Sequence, residues 1–154
     1  MSRLLGIDLG ERRIGVAVAD HDGRARPLVT LRRARTVAAD ATAIVRIATE
    51  QDAAELVVGL PLEAAGGEGA QARVTRTWVE AVSPLVRLPI SLRDERLSSH
   101  LAETRLGPMK RGRSGGPPSA VQRDVHRARV DREAAAIILQ DELDARAAAR
   151  SAAR

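Results

Sequence analysis

The chain has 154 residues, a formal net charge of +5 and no cysteine. That length suits one domain with a real core, and the lack of thiols excludes both a disulfide framework and a Cys-type zinc site. Trp78 is the only aromatic residue, so the core must come from Leu, Ile, Val and Ala, and stacking of bases on aromatic side chains is excluded.

Two short apolar runs, 3–9 and 14–19, are joined by Gly10-Glu11-Arg12-Arg13, and a third run at 28–31 follows the turn Asp22-Gly23. Together they predict an antiparallel meander. Residues 37–50 carry Val37, Ala41, Ile44, Val45 and Ala48 at helical spacing. The run from Glu55 to Pro61 is short and continuously apolar, as a buried parallel strand is. Gly66, Gly67 and Gly69 open a second helix over about 70–82, and Pro89–Leu92 reads as a fifth strand ending at Asp94-Glu95. Ser98 or Ser99 caps a third helix to 106. This order predicts a mixed sheet with helices on its faces.

Residues 107–118 hold four glycines, three prolines, Lys110, Arg111 and Arg113, a composition that predicts a mobile basic loop. A last helix follows. Its start is ambiguous, because Ser119-Ala120-Val121-Gln122 resembles a capping box whereas strong apolar periodicity begins near Val130. We expect one domain over 1–145 and an Ala-rich tail, 146–154, that frays. The N-terminal segment lacks the pattern of a signal peptide and no apolar run reaches about 18 residues, which points to a soluble, cytoplasmic chain without membrane contact.

Three acids lie inside otherwise apolar segments: Asp8, Glu95 and Asp131. Buried carboxylates are costly unless paired or bound to metal. On the first strand Asp8 shares a face with Leu4, Gly6 and Gly10; Glu95 shares parity with Ser91 and Arg93; Asp131 lies on a helical stripe with Ala134, Ala135 and Ile138. Each has an ordinary alternative: a turn aspartate, a surface pair with Arg93 or Arg96, and a first-turn helix aspartate. Their conjunction, without a His cluster, suits Mg²⁺ or Mn²⁺, and two such ions about 3.5–4 Å apart promote phosphodiester hydrolysis.

A polyanionic partner also fits the charge. All but one of the 25 cationic residues are arginines, Lys110 being the exception, and the arginine fork matches phosphate oxygens. From Arg105 to Arg132 eight cationic residues, among them Lys110, Arg111, Arg113, Arg127 and Arg129, face two acidic ones. Arg73 and Arg76, after the glycine-rich turn, are further candidate phosphate contacts, as are Arg12, Arg13 and Arg96.

Gly6-Ile7-Asp8-Leu9-Gly10 with Arg13-Ile14-Gly15-Val16-Ala17, Val57-Val58-Gly59-Leu60-Pro61 with Gly66 and Gly69-Ala70-Gln71, Asp94-Glu95-Arg96-Leu97-Ser98-Ser99, and Val130-Asp131 with Ala134-Ala135 and Ile138-Leu139 resemble, in order over 3–145, the YqgF/RuvX family. The resemblance implies an α/β, RNase H-like fold, a mixed five-stranded sheet with helices on both faces. It also implies an acidic site of Asp8, Glu95 and Asp131 and a metal-dependent nuclease that matures the 5′ end of small-subunit rRNA precursor or resolves Holliday junctions. Ribosomal particles are implied as partners, with the chain a monomer or a homodimer. Serines stand where the family commonly has threonines, and Ala134 stands where other resolvases carry a second aspartate.

Two other readings remain open. Asp8-Leu9-Gly10 also resembles the phosphate-binding turn of actin/Hsp70-type ATPases, although those close two domains over the nucleotide. A ribosome-associated RNA-binding protein with this fold and weak catalysis fits the basic charge equally well.

Overall fold

The structure is a computed structural model and describes residues 3–95 and 98–154. Strands β1 (Arg3–Leu9), β2 (Arg13–Asp20) and β3 (Arg26–Arg32) precede helix α1 (Val37–Glu50). There follow β4 (Ala53–Pro61), α2 (Ala70–Val86), β5 (Ile90–Glu95), α3 (Ser98–Leu106) and α4 (Ala120–Ala152). The sheet runs β3-β2-β1-β4-β5, antiparallel across the first three strands and parallel from β1 through β4 to β5.

Alternation along the strands sorts side chains between two cores. Leu5, Ile7, Ile14, Val16, Val18, Leu56 and Val58 pack with Ile44 of α1 and with Trp78 and Val82 of α2. Leu4, Ala17, Ala19 and Val57 point the other way and meet Ala135, Ile138 and Leu139 of α4. Helix α3 lies against α4 through Ala102, Val130, Ala134 and Ile137. The expected mixed sheet with helices on both faces is therefore present.

Helix α4 comes close to the sheet because glycines stand at three of its crossing points, Gly6, Gly15 and Gly59. A Cβ built on Gly6 would lie 2.7 Å from the Ala135 carbonyl oxygen, and one on Gly15 would run into the backbone carbonyl of Asp131. Such contacts leave no room for any other residue.

The sequence-derived helix ends differ from the structure in two places. Helix α2 continues through Pro84 to Val86 and stops at Arg87 in the left-handed conformation, φ 59°. The ambiguity over the start of α4 resolves in favour of Ser119, whose side chain accepts from the Gln122 amide at 3.1 Å while the Gln122 side chain accepts from the Ser119 amide at 2.7 Å. The tail expected to fray stays helical to Ala152, since alanine has the strongest helix propensity. No helix among the described residues is long and apolar enough to cross a membrane.

Candidate active site

Asp8 stands one residue before the end of β1, and its ladder partner on β2 is Gly15. The Asp131 backbone lies directly on Gly15, so α4 delivers Asp131 beside Asp8. Glu95 ends β5, two strands across from β1, a lateral step of about 10 Å. All three acids lie on the α4 face, as the strand and helix periods predicted.

Their environments differ. Asp8 keeps part of its surface open, yet strands and α4 enclose it. Burial, and after it the charge of Asp131, pushes its carboxyl up to about 7. Glu95 is 8% exposed, and its Oε1 has no hydrogen-bond partner. Burial first, then the approach and negative charge of Asp141, push Glu95 up to about 8; Arg93 opposes this and Asp8 adds to it.

Cations answer two of the acids. The Arg13 Nε donates to Asp131 Oδ2 at 2.5 Å, with both side chains about a quarter exposed. Arg93 Nε, buried and without a hydrogen-bond partner, lies 3.9 Å from Glu95 Oε1. Among the described residues, no group of three or more His, Cys, Asp or Glu side chains is arranged to hold a metal ion.

A fourth buried acid serves as a contrast. Asp40, on the opposite face, accepts from Arg33 Nε at 2.8 Å, from the Ala34 amide at 2.8 Å and from Trp78 Nε1 at 3.3 Å. Every strong interaction Asp40 needs is supplied by the protein, which marks it as structural. Glu95 is buried without that satisfaction, a pattern typical of functional sites.

The proposed phosphate contacts separate into groups. Arg12, Arg13 and Arg32 line a cleft of about 260 Å³ between the β2–β3 edge and α4, with Thr30 and Asp124. Lys110, Arg111, Arg113, Arg127 and Arg129 are exposed around the start of α4. Arg73 is exposed on α2, a helix of the other face, and Arg76 beside it is held by the Glu68 carboxylate through both Nε, 3.0 Å from each oxygen, and Nη2. Arg76 is therefore already paired, and the glycine-rich turn that supplies Glu68 is the reason. Arg96 lies outside the described residues.

Asp141 is the site residue that sequence reasoning did not reach, whereas Arg93 enters it only as a candidate surface partner of Glu95. Arg93 shares the parity of Glu95, a signal that was present. Asp141 falls seven residues after Ala134 and hence near the same side of the helix.

These elements define an RNase H-like α/β protein. Its fold is that of RuvC from Thermus thermophilus, matched at a TM-score of 0.52 over 95% of this chain and 96% of that one, at 15% identity. The family model RuvX, described as "Holliday junction resolvase", matches residues 2–145. Two relatives named "Putative pre-16S rRNA nuclease" are similar over nearly their whole length. That of Anaeromyxobacter sp. (strain K) is 44% identical over 145 residues, 94% of this chain and 98% of the relative. That of Chloroflexus aurantiacus is 41% identical over 144 residues, 93% of this chain and 87% of the relative. The chain belongs to the RuvX family.

Proposed function

We propose that this chain is a divalent-metal-dependent nuclease that hydrolyses phosphodiester bonds in structured nucleic acid, with the 5′ leader of the small-subunit rRNA precursor as its principal substrate. The observation that carries the reading is the gathering of Asp8, Glu95 and Asp131 on one face of the sheet, at the end where β1 and β5 stop. The names of relatives above 40% identity favour precursor rRNA, whereas the family model's description names four-way junctions, so both substrates enter the test below. The setting would be the cytoplasm, with ribosomal precursor particles as partners.

The chemistry of the donors suits a hard cation, although the three carboxylates do not stand as a ready ligand set among the described residues. The donors are all carboxylate oxygens, and the Glu95 Oε1 is buried and unclaimed. Asp8, Glu95 and Asp131 would hold Mg²⁺ or Mn²⁺, which supplies Lewis acidity toward a phosphoryl oxygen and eases deprotonation of the attacking water. Arg13 orients Asp131. Arg12 and the cations around the start of α4 grip the sugar-phosphate backbone, and Arg93 offsets negative charge beside Glu95.

A catalytically weak RNA-binding protein of the same fold is the second reading. The Arg13 contact favours it, because Asp131 Oδ2 is already occupied. One assay separates the two. Precursor rRNA leader, a four-way DNA junction and linear DNA are incubated with Mg²⁺ or Mn²⁺ and either wild type or Asp8→Asn. Metal-dependent cleavage lost in Asp8→Asn supports the nuclease; tight RNA binding without cleavage supports the alternative.

A further inference from the structure

Beside the acidic site lies a feature that phosphodiester chemistry does not require. Leu106, Met109, Val121 and Val125 floor a cavity of about 320 Å³ between α3, the 107–118 segment and the start of α4. Met109, Val121 and Val125 are 39%, 72% and 55% exposed, three of the six exposed large apolar side chains among the described residues. Single exposed apolar residues are ordinary, whereas a cluster in a concavity points to a ligand. The volume falls at the lower end of the roughly 300–1,000 Å³ of small-ligand sites.

The walls are tied together. Gln122 Nε2 donates to the Arg111 carbonyl at 2.9 Å, and Arg123 donates to the Pro118 carbonyl at 2.7 Å. The rim is cationic, with Lys110 and Arg129 lining the cavity and no acidic residue among those that do. Arg129 precedes Asp131 by two residues, and Val125 lies six residues before it, about 9 Å along the helix axis.

We propose that this groove receives one unpaired nucleobase of the bound nucleic acid, its apolar floor covering the base face while Lys110 and Arg129 hold the flanking phosphates. The proposal rests on the nucleic-acid reading above and adds a preference for substrates with an extruded nucleotide. It supplies a seat for a base in a chain that lacks aromatic platforms. A protein occupant is disfavoured by size, because four apolar side chains fall far short of the roughly 20–30 residues per side of a stable protein interface.

The test measures binding by fluorescence anisotropy in EDTA, using a fully paired RNA, the same RNA with one bulged nucleotide, and the same bulge made abasic. Wild type should bind the bulged RNA roughly tenfold more tightly than either control, the order expected from removing about 60 Å² of apolar base surface from water. Val125→Asn and, separately, Val121→Asn should erase that advantage and leave the paired RNA bound within about twofold. Both positions are exposed, and thermal melting checks the fold of each variant. The proposal is overturned by equal affinity for bulged and abasic RNA. It is also overturned if the variants keep the advantage, or if sedimentation shows that they lose only self-association. Cleavage with Mn²⁺ is scored separately. Discrimination without cleavage removes the nuclease reading and keeps the groove, whereas cleavage without discrimination does the reverse.

Discussion

Arg13 on β2 and Asp131 on α4, 118 residues apart, are joined by a 2.5 Å hydrogen bond from Nε to Oδ2. The contact fixes one oxygen of a candidate metal ligand and neutralises part of a crowded acidic site. Removing the arginine should therefore act on binding and turnover in opposite directions. Arg13→Gln is expected to bind Mn²⁺ a few-fold more tightly, because one local positive charge is gone. Turnover should fall about 10- to 100-fold, as for other residues that orient a metal ligand. Isothermal titration with Mn²⁺ beside single-turnover cleavage checks both signs. Arg13→Lys should recover only part of the rate, since an ammonium lacks the planar fork.

The two raised carboxyls set how stability depends on pH. With folded values of about 7 for Asp8 and about 8 for Glu95, against ordinary values of 3.8 and 4.5, the folded chain binds more protons than the unfolded chain between about pH 4 and pH 8. The stabilisation is fully present below the unfolded values and is lost as pH rises through the folded ones. In EDTA, the Tm should fall from pH 5 to pH 8, and Asp8→Asn with Glu95→Gln should flatten that slope. Mn²⁺ should raise the Tm of wild type more at pH 8 than at pH 5.5, because ligands must be deprotonated to bind. An equal rise at both pH values in the double variant would separate metal binding from these acids.

Much of this site was legible because period and residue size agree. Asp8 alternates with Gly6 and Gly10, and Asp131 shares its stripe with Ala134 and Ala135, so close approach of strand and helix could be read from residue volume alone. Glu95 was assigned over Asp94 by parity, and in the structure Glu95 is buried whereas Asp94 is exposed. Pairings between different elements, near or distant in sequence, were not legible. Nothing local tells Arg13 that Asp131 is its partner, or Arg76 that Glu68 reaches it from the preceding turn. Asp40 was missed for the same reason: it looks like a first-turn helix acid, and only the fold places Arg33 and Trp78 against it.

The close crossing of α4 over the sheet gives a third expectation. Gly15→Ala would set a methyl group against the Asp131 backbone, and neither β2 nor α4 can yield without shifting the acid. Overpacking of this kind costs about 1–3 kcal/mol, sometimes more. Urea unfolding should show that loss, and cleavage by the fraction that remains folded should fall as well, since Asp131 moves relative to Asp8. A variant with reduced stability and full activity would place the functional Asp131 elsewhere.

The contrast between Asp40 and Glu95 separates structural from functional burial. Asp40→Ala strips partners from Arg33, the Ala34 amide and Trp78 Nε1 together; Arg33 is part-exposed and keeps its bond to the Gly10 carbonyl, so the loss should be about 1–3 kcal/mol, the cost of leaving buried donors unsatisfied. Glu95→Gln removes a carboxylate whose Oε1 is unpartnered and whose charge is opposed by Asp141 and Asp8. At pH 8 it should leave the metal-free protein as stable as wild type or more so. Cleavage should reverse the ranking: Asp40→Ala, measured at a temperature where it remains folded, keeps most of its turnover per folded molecule, whereas Glu95→Gln loses about a hundredfold or more, as for other removals of a transition-state-stabilising group. Urea titrations and single-turnover rates on the same two variants give both rankings, and identical rankings in the two measurements would mean that Glu95 is a structural acid like Asp40.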